Sequence, residues 1–587
     1  MTTLLSWIKS GQIAIPEMQR PFVWSSTQVR DLLDSLYKGY PIGYLITWQN
    51  IDAGLKNGSA SGHRQILIDG QQRITAMTTA LAKQEVVMKD YSRARIRIAF
   101  NPVSEEFATL TPAIRRSSTW IPDVAEFVGA TTAFLQITEY LKQNPDVDQQ
   151  AAVNALQKLS DVVNAPVGII SLADDLDIET VTEIFTRINS KGVPLSSADF
   201  AMSKIASHGE LGSNLRKLID YFCSLAASPT TYKMIRDHDT EFAATDYLPK
   251  IAWMKDQPPV IWTPTYQDVI RVVGLETFQR GRIAPVVSLL SGRDFETRQF
   301  DAEIAEESFA KLETGLLSIV NEFTFRQFLM TIESAGFVKE NQISSRNALN
   351  FAYALYLFLR QHTDLSDGDV KKYVRRWFVM SLLTGRSTGS FETTFEHDMR
   401  RIAEEGVETV LDEIERSELS ENFWTVTLPL QLNSPSRRTA GFILYQAAQI
   451  KQRSHGFLSR SVTVDQLTRE MGDVHHLVPK QYLIRSGVID PSRYNQVANY
   501  AFAETPLNIA IADRAPGEYM AIVDAQVAGT IPLKIGEIAD AAELQRNLEE
   551  NAIPADFREV TVATYNDFRQ ERRKLMSVIV RDYYKGL

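Results

Sequence analysis

The middle of the chain constrains the fold most, because its apolar residues recur mostly at helical spacing from about residue 209 to residue 420. The segments 348–359 and 370–383 show this spacing most clearly. A chain of 587 residues is also too long for one hydrophobic core, and its length predicts three or four units. We therefore expect a multidomain α+β protein that is predominantly helical.

The composition is that of an ordinary folded protein, with 44% apolar and 23% charged residues. The single cysteine, Cys223, excludes a disulfide within the chain and a cysteine-based zinc site, and we expect it to pack in a core. The N-terminus lacks a basic flank, and no stretch reaches the roughly 18 apolar residues of a membrane span. The sequence predicts a cytoplasmic protein without membrane association.

A basic segment stands out in a chain whose formal net charge is −10. The overall charge argues against a general polyanion-binding protein, but the distribution of charge can reverse this locally. Between Glu421 and Asp465 there are five basic residues and no acidic one. We predict that four of them bind DNA, with a solvated helix face as the open alternative. The four are Arg437, Arg438, Lys451 and Arg453.

The first part of the chain mixes strands and helices. Ser25 offers an N-cap for a helix with apolar residues at helical spacing up to residue 37. Strands are predicted at 44–48, 65–70, 93–100 and 167–171. Arginines alternate at positions 93, 95 and 97, so the third of these strands should carry a cationic face.

The segment Asp69-Gly-Gln-Gln-Arg73 forms a strand-to-helix turn in this prediction, with the helix covering residues 71–81. Glycine permits close approach of the backbone, the helix N-terminus presents free N–H groups, and Arg73 adds a fork suited to phosphate. Such a turn can hold an anion. A capped helix without a ligand is the alternative.

The segment Asp473-Val-His-His-Leu-Val-Pro479 has the order of residues that a His-Asn-His metal centre needs. We interpret His475 as a metal ligand and His476 as the general base, because an imidazole with a pKa of about 6.5 accepts a proton at neutral pH. Asn499 would stiffen the loop and Asn508 would supply the second ligand. Asp473 is a rival ligand, and surface or capping histidines are the alternative.

One hard cation held by few protein ligands keeps open positions for water and phosphate oxygens, which suits phosphodiester hydrolysis. Magnesium is the first expectation and manganese the second. An imidazole ligand also leaves nickel and zinc open.

Segments at both ends of the chain resemble GmrSD-type restriction proteins. Residues 15–24, 69–75 and 185–199 resemble their N-terminal domain, and the His475–Asn508 arrangement resembles their C-terminal His-Asn-His nuclease domain. The resemblance implies a ParB-like α/β fold for a sensor and NTPase domain at 1–206, and a ββα-metal fold for a nuclease domain at 426–587. A helical scaffold at 207–425 would connect them.

The resemblance further implies a DNA endonuclease of a bacterial anti-phage restriction system, similar to phosphorothioate-sensing defence proteins. The first domain would sense modified double-stranded DNA and hydrolyse GTP or ATP, and the last would nick or cleave. No P-loop motif occurs. The motif positions expected to bind nucleotide or phosphate are Gln19, Arg20, Asp69, Gly70, Gln71, Gln72, Arg73, Arg187 and Asn189.

Two other functions stay open at this point. One is a DNA-binding regulatory NTPase with a vestigial nuclease domain, although such a copy should have lost His476 or Asn508. The other is an NTPase outside defence whose basic segment binds RNA, against which the lack of aromatic–basic RNA-binding motifs counts. The modification, the nucleotide, nicking versus double-strand cleavage and the oligomeric state, with a homo-oligomer among the options, are not fixed by the sequence.

Overall fold

The computed structural model describes residues 1–587 apart from 11, 15–23, 50–64, 88–92, 129–132, 174–175, 177–179, 181–183, 185–195, 207, 296, 298, 300 and 471–472. The contacts divide the chain into two compact units, each described separately below. Unit 1 consists of 1–249 and 287–309, and unit 2 of 250–286 and 310–587. Helices predominate and strands are few, which confirms the predicted helical, multidomain character. None of the helices in the described ranges is long and apolar enough to cross a membrane.

Unit 1 holds a four-stranded mixed sheet and two short hairpins. Its strands are β1 (Ile13–Ala14), β2 (Leu45–Gln49), β3 (Gln65–Asp69), β4 (Val86–Val87), β5 (Arg93–Ala94), β6 (Ile98–Asn101), β7 (Glu106–Thr109) and β8 (Ile169–Leu172). The sheet order is β1-β3-β2-β8, in which β3 and β2 are antiparallel and the outer pairs are parallel. The predicted strands at 44–48, 65–70 and 167–171 are therefore confirmed within one or two residues.

Helices make up the rest of unit 1, and α2 and α3 share a hydrophobic core with the strands of the sheet. Ser25 begins α2 as predicted, with Gln28 completing a capping box, and Val29, Leu33 and Leu36 are buried on its inner face. The helices are α1 (Thr2–Lys9), α2 (Ser26–Tyr37), α3 (Gln71–Ala80), α4 (Pro112–Arg116), α5 (Ala133–Gln143), α6 (Gln149–Ser160), α7 (Ser197–Ala206), α8 (Gly209–Ala227), α9 (Thr231–His238), α10 (Thr240–Ala243) and α11 (Tyr247–Ile251). Cys223 is half-buried in α8.

The prediction of one continuous cationic strand at 93–100 is wrong. Strand pairing stops after Ala94 and resumes at Ile98. Arg95, in the gap, forms an ion pair of 2.7 Å with Asp123 and donates to the Thr79 carbonyl at 3.2 Å. The alternating pattern therefore marks an internal ion pair rather than a charged sheet face.

Unit 2 is a helical assembly that also contains a two-stranded sheet. The helices α13 and α14 contribute residues to both units. The elements are α12 (Tyr266–Glu276), α13 (Ile283–Leu290), α14 (Ala302–Ile319), α15 (Glu322–Glu333), α16 (Arg346–His362), α17 (Asp367–Thr384), α18 (Phe391–Glu405), α19 (Val407–Glu418), α20 (Leu428–Gln431), α21 (Ala440–Lys451), α22 (Val464–Arg469), β9 (Asp473–His476), α23 (Lys480–Arg485), α24 (Pro491–Tyr494), β10 (Tyr500–Ala503), α25 (Thr505–Ile511), α26 (Pro516–Val527), α27 (Ala541–Glu550) and α28 (Tyr565–Lys585).

Long buried helices form the centre of unit 2. The predicted helical segments 348–359 and 370–383 lie within α16 and α17. Between these helices Phe351 and Trp377 stack with their ring centroids 4.7 Å apart, and both side chains are fully buried. Helical periodicity was therefore a sufficient guide to this region.

The last helix, α28, contacts helices of the middle of the chain. The Tyr583 hydroxyl donates to the Ala335 carbonyl at 2.6 Å, and the Tyr584 hydroxyl donates to Glu415 at 2.6 Å. The predicted domain boundary between residues 425 and 426 falls inside unit 2. That boundary stays a prediction from sequence and is not a division between compact units.

Candidate active site

The tandem histidines lie on β9, which pairs with β10 in an antiparallel arrangement. His475 is opposite Ala501 and His476 is opposite Tyr500. The Leu477 amide extends the pairing by donating to the Asn499 carbonyl at 2.9 Å. Helix α25 follows β10 directly and carries Asn508. The order is thus strand, strand and helix, with residues 477–499 between the two strands.

His475 is 2% exposed, and its ring stacks on Phe457 at a centroid distance of 6.1 Å. Its Nδ1 lies 2.7 Å from the Asn508 Oδ1, and its Nε2 has no hydrogen-bond partner among the described residues. Desolvation, with a smaller contribution from His476, lowers the pKa of His475 to about 4. The imidazole is therefore neutral near pH 7, which is the form that binds a metal ion.

His476 is half-buried beside the segment 494–500. Its Nε2 lies 3.1 Å from the Asn495 Oδ1, and its ring meets Tyr500 edge-on at 5.1 Å. Burial lowers the pKa of His476, the hydrogen bond from its Nε2 to Asn495 opposes this shift, and the charges of Lys480 and Arg437 lower the pKa further. Neighbouring side chains of a strand point to opposite faces, so His475 faces α25 and His476 faces Asn495.

Asn499 holds together the chain segments around His476. Its side chain is fully buried. The Oδ1 accepts from the Val478 amide at 2.8 Å, while the Nδ2 donates to the carbonyls of Val478 at 3.0 Å and Tyr494 at 3.2 Å. One side chain thus fixes the turn after β9 to the turn before β10.

The donor atoms that a metal ion could use here are an imidazole nitrogen and an amide oxygen. His475 and Asn508 already bring these two atoms to 2.7 Å. The described part of the chain contains no group of three or more His, Cys, Asp or Glu side chains placed to hold a metal ion. The backbone of Asp473 lies in β9, but its side chain is outside the described atoms.

The basic segment divides between the two ends of α21. Arg437 and Arg438 precede the helix, and Arg437 lies close enough to influence the pKa of His476. Lys451 ends the helix, where burial and the charge of Arg375 lower its pKa, and Arg453 follows. A helix of 12 residues is about 18 Å long, so the predicted DNA-binding residues do not form one cluster.

The Asp69–Arg73 turn has the predicted strand-to-helix form. Gly70 adopts φ 98°, and a Cβ there would lie 2.2 Å from the Leu45 Cδ2, so both conformation and space require glycine. Arg73 pairs with Asp69 at 2.9 Å and donates to the Ile42 carbonyl at 2.9 Å. The guanidinium is thus engaged within the turn, and helix α3 starts without a side-chain cap.

Several predicted binding residues lie outside the described residues, namely Gln19, Arg20, Arg187 and Asn189. Gln71 and Gln72 are half-buried in the first turn of α3. Asp199 accepts from the Ser196 amide at 2.7 Å and hydroxyl at 2.8 Å, which is a helix-capping role for α7.

Three residues adjoin His476 but were not predicted from the sequence: Asn495, Lys480 and Tyr500. Asn495 is 19 residues from its histidine partner, and Tyr500 reaches it only through strand pairing. Lys480 is only four residues from His476, so of the three it alone could have been predicted from the sequence to lie near the histidines.

A candidate metal-binding strand–strand–helix arrangement and a mixed α/β unit are thus present in one chain. Residues 1–206 match the family model of the GmrSD restriction endonuclease, N-terminal domain. This confirms the predicted resemblance of residues 1–206 and supports a restriction endonuclease family. The match ends before the histidines. No curated protein matches the chain.

Proposed function

We propose that the chain is a DNA endonuclease of an anti-phage restriction system, with its nuclease centre at His475, His476, Asn499 and Asn508. The observation that carries the proposal is the approach of His475 Nδ1 and Asn508 Oδ1 to 2.7 Å directly beside His476. The order β9, β10, α25 supports a ββα-metal fold for this region. The family match of residues 1–206 supports the assignment to restriction.

His475 and Asn508 would hold one divalent cation, with magnesium the first expectation and manganese the second. The neutral imidazole and the amide oxygen fit such an ion. When bound, the cation would stabilise negative charge on the phosphate and leave positions open for water and substrate.

His476 would take a proton from the attacking water. Asn495 offers its Oδ1 to Nε2, which assigns the proton to that nitrogen and leaves the lone pair on Nδ1. The lowered pKa keeps His476 neutral in the neutral range, as a base must be. Asn499 would keep this histidine in place by fixing the two flanking turns.

The N-terminal domain would sense modified DNA and hydrolyse GTP or ATP, with a ParB-like fold. The uncapped first turn of α3 supports an anion site there, because its backbone N–H groups are not taken by a side-chain cap. Among the described residues Arg73 uses two of its five N–H groups, on Asp69 and Ile42, and this leaves three for a phosphate.

A cleavage assay tests this function. Matched modified and unmodified plasmids are incubated with the full chain, a panel of divalent metals, and each nucleotide triphosphate or none. We expect metal-dependent cleavage that differs between the two plasmids and increases with a nucleotide.

His476→Ala should lower the cleavage rate by about 10²- to 10⁴-fold, the usual contribution of a general base. His397→Ala, which changes an exposed histidine of the same unit, is the matched control and should cleave normally. Unchanged cleavage by His476→Ala would exclude this centre. No cleavage by the unaltered chain under any condition would favour the regulatory NTPase with a vestigial nuclease.

A further inference from the structure

Five basic side chains lie on three segments of unit 2 that contact one another, and two of them, Arg437 and Lys480, lie close to His476. We name them the basic surface: Arg437, Lys480, Arg493, Arg569 and Arg573. Only Arg437 belongs to the basic segment that the sequence singled out. The other four come from the stretch between the two strands and from the last helix.

Hydrogen bonds bring these segments together. The Val497 amide donates to the Ser434 carbonyl at 2.9 Å, which joins the 433–438 loop to the stretch before β10. The Tyr565 hydroxyl donates to the Arg493 carbonyl at 3.1 Å, and Arg573 donates to the Asn433 Oδ1 at 2.5 Å. The start of α28 therefore lies against both other segments.

The spacing along α28 places its cations on one face. Tyr565, Arg569 and Arg573 follow one another at intervals of four residues, so their side chains are neighbours on the helix surface. The Arg569 guanidinium lies 4.9 Å from the centroid of the Tyr565 ring. Close spacing of two guanidinium groups is unfavourable unless an anion lies nearby.

Arg569 is the most buried member, at 9% exposure. Its Nη2 donates to the Asn566 Oδ1 at 2.7 Å, and within the described ranges its Nε has no hydrogen-bond partner. Desolvation lowers the pKa of Arg569, and the positive charge of Arg493 lowers it further. A buried guanidinium without a carboxylate is costly, and a bound anion would remove that cost.

Some cations near the basic surface are paired with carboxylates. Lys574 pairs with Glu571 at 3.0 Å, and Arg460 pairs with Glu543 at 3.4 Å. Within the described ranges, none of the five members has a carboxylate oxygen within 4 Å. The chain has 72 acidic and 62 basic residues, so unpaired cations at one place are unexpected unless they bind an anion.

We propose that the basic surface binds consecutive phosphates of double-stranded DNA and so brings one phosphodiester to His476, independently of base sequence. The proposal rests on the proposed nuclease function, because it concerns the substrate of that same centre. Arginine and lysine contacts to phosphate position a duplex without reading its bases. Selection of a target would then come from elsewhere in the chain.

DNA binding by the full chain tests this proposal, measured by fluorescence anisotropy of a labelled 30-base-pair duplex in EDTA over a range of salt concentrations. The variant is Arg493→Gln with Arg573→Gln, which leaves the buried Arg569 and the proposed metal and proton-transfer groups intact. The control is Arg460→Gln with Lys574→Gln, which removes the same charge from paired residues. Circular dichroism and thermal melting establish that both are folded.

Each lost phosphate contact should lower the slope of log affinity against log salt by about 0.9. We expect the variant to lose about 1.8 from the slope and the control to lose none. Equal slopes for variant, control and unaltered chain would overturn the proposal. A preference of more than tenfold between unrelated duplexes that the variant loses and the control keeps, or tighter binding of duplex RNA, would overturn its base-independent DNA form.

The two proposals fail in different ways. EDTA prevents metal-dependent cleavage, so the binding result does not depend on the nuclease centre. Cleavage by the unaltered chain together with equal slopes would reject the basic surface alone. A reduced slope in a chain that never cleaves would reject the nuclease alone.

Discussion

The Asp69–Arg73 turn and the His475–His476 strand are both polar motifs at strand ends, but they differ in how their polar atoms are satisfied. In the first, Arg73 and Asp69 form an ion pair and Arg73 also contacts the Ile42 carbonyl. In the second, the buried Nε2 of His475 has no hydrogen-bond partner in the part of the chain that the structure describes. The cations near His476 also have no carboxylate within ion-pair distance in the described part of unit 2.

Residues that form a recognisable sequence motif are therefore not necessarily the residues that bind a ligand. An internal pair such as Arg73–Asp69 stabilises its own turn whether or not a ligand binds. Buried polar groups without partners cost free energy in the folded chain and are compensated when a ligand arrives. The C-terminal region therefore has the stronger physical case for a ligand.

The largest effect is expected at Asn499. Asn499→Ala removes three hydrogen bonds and leaves the Val478 amide buried without an acceptor, so we expect a loss of about 3 kcal/mol in the free energy of unfolding. Denaturant unfolding measures this. Asn341→Ala, at an exposed position of the same unit, should change little. If the two variants were equally stable, Asn499 would not hold the two turns together.

The two ends of the basic segment should differ in their effect on DNA binding. Arg437→Gln with Arg438→Gln should lower the salt slope of DNA binding by about 0.9, because Arg437 belongs to the basic surface and Arg438 does not. Lys451→Gln with Arg453→Gln, at the other end of α21, is the matched pair and should leave the slope unchanged. Equal losses from both pairs would mean that the whole segment contacts DNA, as the sequence first indicated.

A smaller effect is expected at Asn495. Asn495→Ala removes the acceptor of the His476 Nε2 proton and should lower kcat by about tenfold with little change in KM, since the base itself remains. Asn495→Asp keeps an acceptor oxygen and should restore most of the rate. A change confined to KM, or no rescue by aspartate, would argue against a positioning role.

The smallest effect on stability is expected at Arg73. Arg73→Ala breaks a partly buried ion pair and should cost about 1 kcal/mol, more than Lys38→Ala, which breaks an exposed pair of the same helical spacing. Thermal melting gives this comparison, and nucleotide hydrolysis should also fall for Arg73→Ala alone. Full hydrolysis by that variant would leave the pair with a structural role only.

The parts of the fold that could be predicted are those set by patterns within a few residues of sequence. Periodic apolar residues located α16 and α17, and Ser25 located the start of α2, because these signals act within a few residues. The strand at 93–100 failed because its decisive contact, Arg95 with Asp123, joins residues 28 positions apart. An alternation of arginines and apolar residues does not show which arginine forms an ion pair with a residue far away in the sequence.

The candidate site could be predicted only in part for the same reason. The pair His475–His476 is visible in the sequence, and Asn499 was assigned a stiffening role that its three hydrogen bonds support. Asn495 reaches His476, and Tyr565 of α28 reaches Arg493, through folding over long sequence distances. Their roles depend on tertiary contacts that no spacing rule supplies.

The contacts of α28 with Ala335 and Glu415 also affect how the chain can be divided. Arg375 donates to the carbonyl of Leu587 at 3.5 Å, so even the final residue touches the middle helices. A fragment of residues 426–587 would lose these contacts at the end of α28, although α28 would keep its packing on α20 and α21. Cleavage by a protease near residue 425 should therefore lower the stability of the end of α28 rather than release an unaltered nuclease.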